Sequence, residues 1–321
     1  VKPQVHENYD GKPIVLNEKL EIVLDPKDYP HLQYHIGKTI ITSDGTTLLG
    51  ADDKAGIAEI ITAIEYLMYN PDITHGPIYI AFTPDEEIGR GVDKFNLDKF
   101  PVKFAYTIDG SFEGELAYET FNAASAKIFI QGNNIHPGDA KGKMLNAINL
   151  AVEFHSLLPS NQKPEYTTGY EGFYHLLQLN GTVENATLSY IIRDHNKEKF
   201  FQKKKFIENA IDFMNKKYPA QPFSLELKDQ YYNMREVIEK NFEVVELAKK
   251  AMESLNIEPK IIPIRGGTDG ARLSFMGIPC PNIFAGGLNF HGKYEYVALE
   301  TMEKATQVIL KIVDLVKNFK N

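Results

Sequence analysis

Four short apolar stretches of this chain each close on a side chain able to hold a metal ion, and that repeated plan limits the fold more than any other feature. The four are Asp52 in LLGADDKAG, the pair Glu86-Glu87 in IAFTPDEEIG, Asp109 in YTIDG and His291 in LNFHGKYE. In an open α/β sheet the carboxyl ends of the strands face one crevice, so residues remote in sequence meet there. Two adjacent glutamates at such an end are informative: one can bind a metal while its neighbour takes a proton from water. The joint pattern predicts an α/β hydrolase with a two-metal centre.

Each element also has a plainer use. Asp52-Asp53 suits the cap of the helix that follows, because an aspartate there accepts orphan backbone N–H groups. Glu86-Glu87 suits a solvated turn, and Asp109 before Gly110 is an ordinary turn dipeptide. Independent turns, however, have no reason to repeat one strand-then-carboxylate plan.

With 321 residues the chain can bury a substantial core and is long enough for two domains. A formal charge of -8, with no stripe of Lys or Arg, argues against a nucleic-acid partner. The run Lys203-Lys204-Lys205 falls in an amphipathic pattern and reads as its solvated face. The single Cys280 excludes an internal disulfide and fits a reducing compartment. No stretch has the character of a membrane span or signal peptide, so the cytoplasm is the expected location.

The opening VKPQVHENYDGKPI reads as a loop. A helix is expected within residues 46–68, with Ile57, Ile60, Ile61, Ile64, Leu67 and Met68 at helical spacing. Ile78–Phe82 and Phe104–Ile108 are continuous apolar runs of strand length. From about Asn122 the pattern changes. Ser125–Ile130 reads as a strand; Leu145, Ile148, Val152 and His155 mark a helix face; two strand-like runs surround Asn180-Gly181, a hairpin signal. Residues 201–218 supply a second helix and Phe223–Leu227 a last strand. That order, βαββαβ, is the ferredoxin-like arrangement. The expected division is a catalytic part over residues 1–121, an inserted ferredoxin-like lid or dimerisation domain over 122–233, and a second catalytic part over 234–321. The latter carries a helix over 237–255, the loop IRGGTDGA and a closing helix over 299–316.

GADDKAG, TPDEEIG, TIDG, GNNIHPG, YEGFYHL, IRGGTDGA and NFHGKYE together resemble the M20 family of zinc peptidases. GYEGFYHL, YYNMRE and IRGGTDGA resemble its tripeptide aminopeptidases. The resemblance runs through the whole chain. It implies that Asp52 bridges two zinc ions, that Glu87 and His291 complete the first site and that Asp109 binds the second. It implies Glu86 as general base and His136 as an oxyanion donor reaching the site of a partner subunit in a homodimer. Arg193, Arg265, Gly266 and Gly267 match the family's substrate-binding positions. The family's further zinc-binding histidine lies in a His-x-Asp motif, which occurs nowhere in this sequence. The second zinc site is therefore expected to be one ligand short, and His6, His31 and His35 are not assigned to it. Beside the tripeptidase stand a related M20 dipeptidase or deacylase and a non-catalytic peptide-binding product.

Overall fold

Alternation of inward and outward side chains over long runs requires neighbours of matching length, and residues 122–231 provide them to one another. In the computed structural model, which describes residues 1–317, they form an antiparallel sheet ordered Phe223–Tyr231, Asn122–Gln131, Asn185–Asp194, Phe173–Gly181. Helices Ala147–Leu157 and Lys197–Lys217 cover one face, completing the βαββαβ order. Ala124, Ala126, Ile128 and Ile130 from one strand and Leu188, Tyr190 and Ile192 from the next meet Phe154, Phe200, Ile207 and Met214 of the helices. Asn146 and Asn196 cap the two helices, accepting bonds from Ile148 N–H at 2.9 Å and Lys199 N–H at 2.9 Å. This unit comprises Glu119–Arg235 and also Pro263–Ala271, a stretch that the reading of the sequence placed in the second catalytic part.

Several local expectations are corrected here. Asn180-Gly181 do not make the hairpin turn; they pair with Thr187 and Ala186 inside the ladder. The turn is residues 182–184, where Thr182 Oγ1 accepts from Glu184 N–H at 3.2 Å and Asn185 N–H at 3.3 Å. The first helix of this unit buries Ala147, Leu150, Ala151 and Phe154, leaving Ile148 and Val152 on the surface. Lys203 is not solvated: it is buried, 3.8 Å from Asp194 and bonded to Gln162.

The other unit joins Val1–Tyr118, Glu236–Ile262 and the chain from Arg272 onward. Its strands are short. One sheet runs Pro3–His6, Ile40–Ser43, Tyr296–Ala298, Gly287–Leu288, and another runs Lys260–Ile261, Glu115–Ala117, Asn282–Phe284, Thr107–Gly110 with mixed directions. The opening segment is thus partly strand rather than loop; Pro3 is tolerated because it begins an edge strand. Ile78–Phe82 pairs with no strand and its side chains are exposed. An apolar run becomes a strand only where a neighbour can take its backbone groups, and none does so here among the described residues. The expected helix over 237–255 is broken into Arg235–Ile238, a 3₁₀ turn at Glu239–Asn241, and Glu243–Ser254.

The helix Ala51–Tyr69 is present but turned. Its buried face is Ala51, Ala55, Gly56, Glu59, Ala63 and Leu67, whereas Ile57, Ile61 and Met68 are exposed. Close approach explains the choice: a Cβ on Gly56 would stand 2.0 Å from the carbonyl oxygen of Ile108. Only a small-residue face allows the helix to lie so near the strand carrying Asp109.

Candidate metal centre

Three ligand-type side chains converge in the first unit. Ligand atoms of Asp52, Glu87 and His291 all lie within 4.8 Å of one another, the one such group of three or more among the described residues. His291 Nε2 is 2.9 Å from Asp52 Oδ2 and 3.1 Å from Glu87 Oε2. Asp109, near the end of the strand Thr107–Gly110, stands close enough to Asp52 for that carboxylate to raise it. Asp52 is therefore the shared neighbour of the other three.

Local chain geometry delivers these groups. Asp52 and Asp53 sit outside helical φ/ψ at the entry of the helix, joined by a cis peptide. The two roles open to that pair divide between them. Asp53 Oδ1 accepts from Gly56 N–H at 3.2 Å, as a cap does, while Asp52 faces Glu87 and His291. Glu86 and Glu87 occupy a 3₁₀ turn entered through Asp85 and left through Gly89, both in the left-handed region. His291 too has φ of 61°, a strained conformation for a residue with a side chain, of the kind that concentrates at functional sites.

The electrostatics are those of crowded carboxylates. Burial, then the charges of Asp53, Asp52 and Glu86, raises Asp109 well above the ordinary carboxylate range. Asp53 is pushed up to about 8, first by burial and then by Asp52 and Glu86, against the pull of the Gly56 N–H. Burial and Asp52 raise Glu87. Burial draws His291 down, but its bond to Asp52 and the charges of Glu87, Asp52 and Glu295 outweigh it and leave the imidazole above its usual value. Such a cluster holds protons that a cation can replace. The donor set, one imidazole among carboxylates, suits zinc.

The remaining expected residues lie in the other unit. His136 is exposed and its Nδ1 accepts from Gly138 N–H at 3.1 Å, capping a short turn. Arg193 bonds the carbonyls of Ala124 at 3.3 Å and Ile192 at 3.1 Å and lies over the ring of Tyr231. Gly267 abuts the same ring, where a Cβ would come within 2.8 Å; Gly266 is open on that side. Arg265 is engaged with its own unit: it donates to the carbonyls of Gly169, Glu171 and Thr167 and to Thr167 Oγ1, and it lies over Phe121 and Phe173. Its observed partners are backbone carbonyls and a hydroxyl rather than the surface carboxylate of an ion pair.

His6, His31 and His35 stand apart from the ligand group. His6 meets Thr42 Oγ1 at 3.0 Å, His31 meets Asn289 Oδ1 at 3.0 Å, and His35 is buried and pushed down to about 4, chiefly by burial. Two acidic residues escaped the sequence reading, and a third was read only jointly with its neighbour. Asp53 was visible in ADDK but not separable from Asp52. Glu295 closes NFHGKYE and binds the turn before the first helix. Glu59, pushed up to about 9 by burial and then by Asp53, had no sequence signal beyond its place on the small-residue face.

Fold and site together define a two-unit peptidase of the M20 class. A family model for the peptidase dimerisation domain matches residues 118–222. The chain is 62% identical over 315 residues to peptidase T of Caldanaerobacter subterraneus subsp. tengcongensis and 58% identical over 312 residues to peptidase T of Bacillus subtilis. The first alignment covers 98% of this chain and 77% of the relative, the second 97% and 76%. The crystal structure of aminopeptidase PepT from Bacillus cereus superposes with a TM-score of 0.75 at 25% identity, over 87% of this chain and 74% of that one. A dinuclear metal-binding M20 peptidase from Bacillus subtilis shares the fold, with a TM-score of 0.59 at 17% identity over 82% of this chain and 71% of that one. The chain belongs to the peptidase T family and is a hydrolase. No helix among the described residues is long and apolar enough to cross a membrane.

Proposed function

We propose that this chain is an aminopeptidase releasing the N-terminal residue of tripeptides at a two-zinc centre in the cytoplasm. The observation that carries the reading is the meeting of Asp52, Glu87 and His291, with Asp109 near enough to Asp52 to be raised by it. Asp52 would be the ligand shared by the two ions in this reading, because a carboxylate has two oxygens to offer and an imidazole nitrogen only one lone pair. Glu87 and His291 would complete one site and Asp109 would serve the other, which lacks a histidine ligand among the described residues. A bound metal pair supplies Lewis acidity, polarising the scissile carbonyl and making water easier to deprotonate. Glu86, beside Glu87 and within electrostatic reach of Asp53 and Asp109, accepts the proton of the attacking water and passes it to the leaving amine. The names of the peptidase T and aminopeptidase relatives support the choice of reaction class.

Arg193, Arg265, Gly266 and Gly267 are the proposed substrate-binding set. The guanidinium suits a peptide carboxylate, and the glycines suit close approach of a peptide backbone. His136 is the proposed oxyanion donor, supplied to the site of a partner copy in a homodimer.

The test separates the two glutamates. Glu86→Gln keeps the metal and loses turnover by roughly 10²–10⁴, while Glu87→Ala weakens metal binding itself. Tripeptide hydrolysis measured alongside metal content after dialysis reads both, and near-normal turnover of Glu86→Gln removes it as the base. Mixing His136→Ala with Glu86→Gln protein tests the dimer. Restored activity is expected from the mixed dimer's one intact site; none, with subunit exchange confirmed, places the whole site in one chain.

A further inference from the structure

The two loops that carry ligands, one bearing Asp52 and the other His291, are joined by a single buried carboxylate. Glu295 is 1% exposed. Its Oε2 accepts from Gly50 N–H at 2.6 Å and its Oε1 from Asp52 N–H at 3.0 Å, so both oxygens grip the turn that presents Asp52. Its own backbone N–H donates to the carbonyl of Gly292 at 3.2 Å, closing the loop on which His291 rides. The start of that loop is held as well: Asn289 donates to the carbonyl of Tyr294 at 2.9 Å and meets His31 at 3.0 Å. The side chain of Glu295 thus fixes one ligand loop while its main chain belongs to the other.

We propose that Glu295 is a positioning residue for the metal centre, setting the distance between Asp52 and His291 so that both present their ligand atoms to one ion. The proposal rests on the metal-centre reading above. A charged acceptor bonded to backbone amides is among the stronger ways to hold a turn. Outer groups that orient ligands commonly govern metal affinity by roughly ten- to hundredfold. Glu295 touches neither substrate nor metal in this scheme. Its effect passes through Asp52 and His291.

Glu300 is the natural control. It clamps Thr39 N–H with both carboxylate oxygens, at 3.0 and 2.9 Å, and holds no ligand loop. Cobalt(II) titration of the full chain, read by its visible absorption, compares wild type, Glu295→Gln and Glu300→Gln, with melting of each recorded in chelator. The expected result is a roughly ten- to hundredfold loss of cobalt affinity and an altered absorption band in Glu295→Gln alone. Equal affinity and an unchanged band in Glu295→Gln, or an equal loss of affinity in Glu300→Gln, overturns the positioning role while leaving the metal centre in place. Failure of the wild type to bind cobalt overturns both. Amide exchange on metal-free wild type needs no variant: slow exchange at Gly50 and Asp52 is expected, and free exchange at both overturns the grip even if Glu295→Gln does not fold.

Discussion

The two units solve the same problem with opposite means. The unit around residues 122–231 has strands of nine or ten residues whose partners all come from that one stretch of chain, and its interior is a continuous apolar cluster. The unit carrying the metal-type residues has strands of two to four residues, collected from both ends of the chain. It buries Glu59 and Glu295 and half-buries Asp53 and Asp109. The first is a self-contained packing solution. The second accepts crowded, buried acids, which are costly without a compensating cation or hydrogen bonds, in order to bring remote loops together.

The sharpest way to break the comparison is to damage the apolar unit. Phe154 is fully buried between helix and sheet, and Phe154→Ala is expected to cost about 3–5 kcal/mol in denaturant unfolding of the whole chain. Cobalt affinity of the molecules still folded should not change; a matching loss of affinity would show that the two units are not independent in this sense.

A smaller effect of opposite sign is expected in the acidic unit. Glu59 is raised from 4.5 to about 9 and both its oxygens lack a hydrogen-bond partner. The folded chain therefore keeps a proton that the unfolded chain has released. The stability this contributes is complete below about pH 4.5 and is lost as pH climbs toward about 9. Glu59→Gln removes this share of the dependence, making the profile of metal-free protein shallower while Asp53 and Asp109 keep theirs, and adding on the order of a few kcal/mol near pH 8. Unfolding measured in chelator from pH 5 to pH 9 decides this, and parallel profiles for the two proteins would refute it. The smallest effect belongs to the hairpin: Thr182→Ala removes the acceptor for two turn amides and should cost about 0.5–1 kcal/mol, visible as a small shift in denaturant midpoint.

The sequence was most legible where each element is long enough to show its own period. The βαββαβ order could be read because each strand and helix shows its own period, although only the hairpin strands Phe173–Gly181 and Asn185–Asp194 are neighbours in both chain and sheet. The faces were less legible. Helix Ala51–Tyr69 shows a clear 3.6-residue spacing of isoleucines, yet it buries the stripe of alanine, glycine and glutamate, because the backbone at Ile108 approaches too closely for anything larger. Ile78–Phe82 has strand composition, but composition cannot supply the neighbour that a ladder requires.

By itself the sequence determined the kinds of chemistry available: paired glutamates, aspartates after apolar runs and one histidine before a glycine. These follow from residue type and short-range order. The tertiary structure decided which of them meet. It separated Asp52, turned toward Glu87 and His291, from Asp53, turned back to cap the helix, although the two are adjacent and chemically identical. It also enlisted Glu295, whose two amide bonds span 243 and 245 residues of chain. No local pattern encodes such a contact, because hydrogen bonds between loops depend on where the intervening fold sets them down.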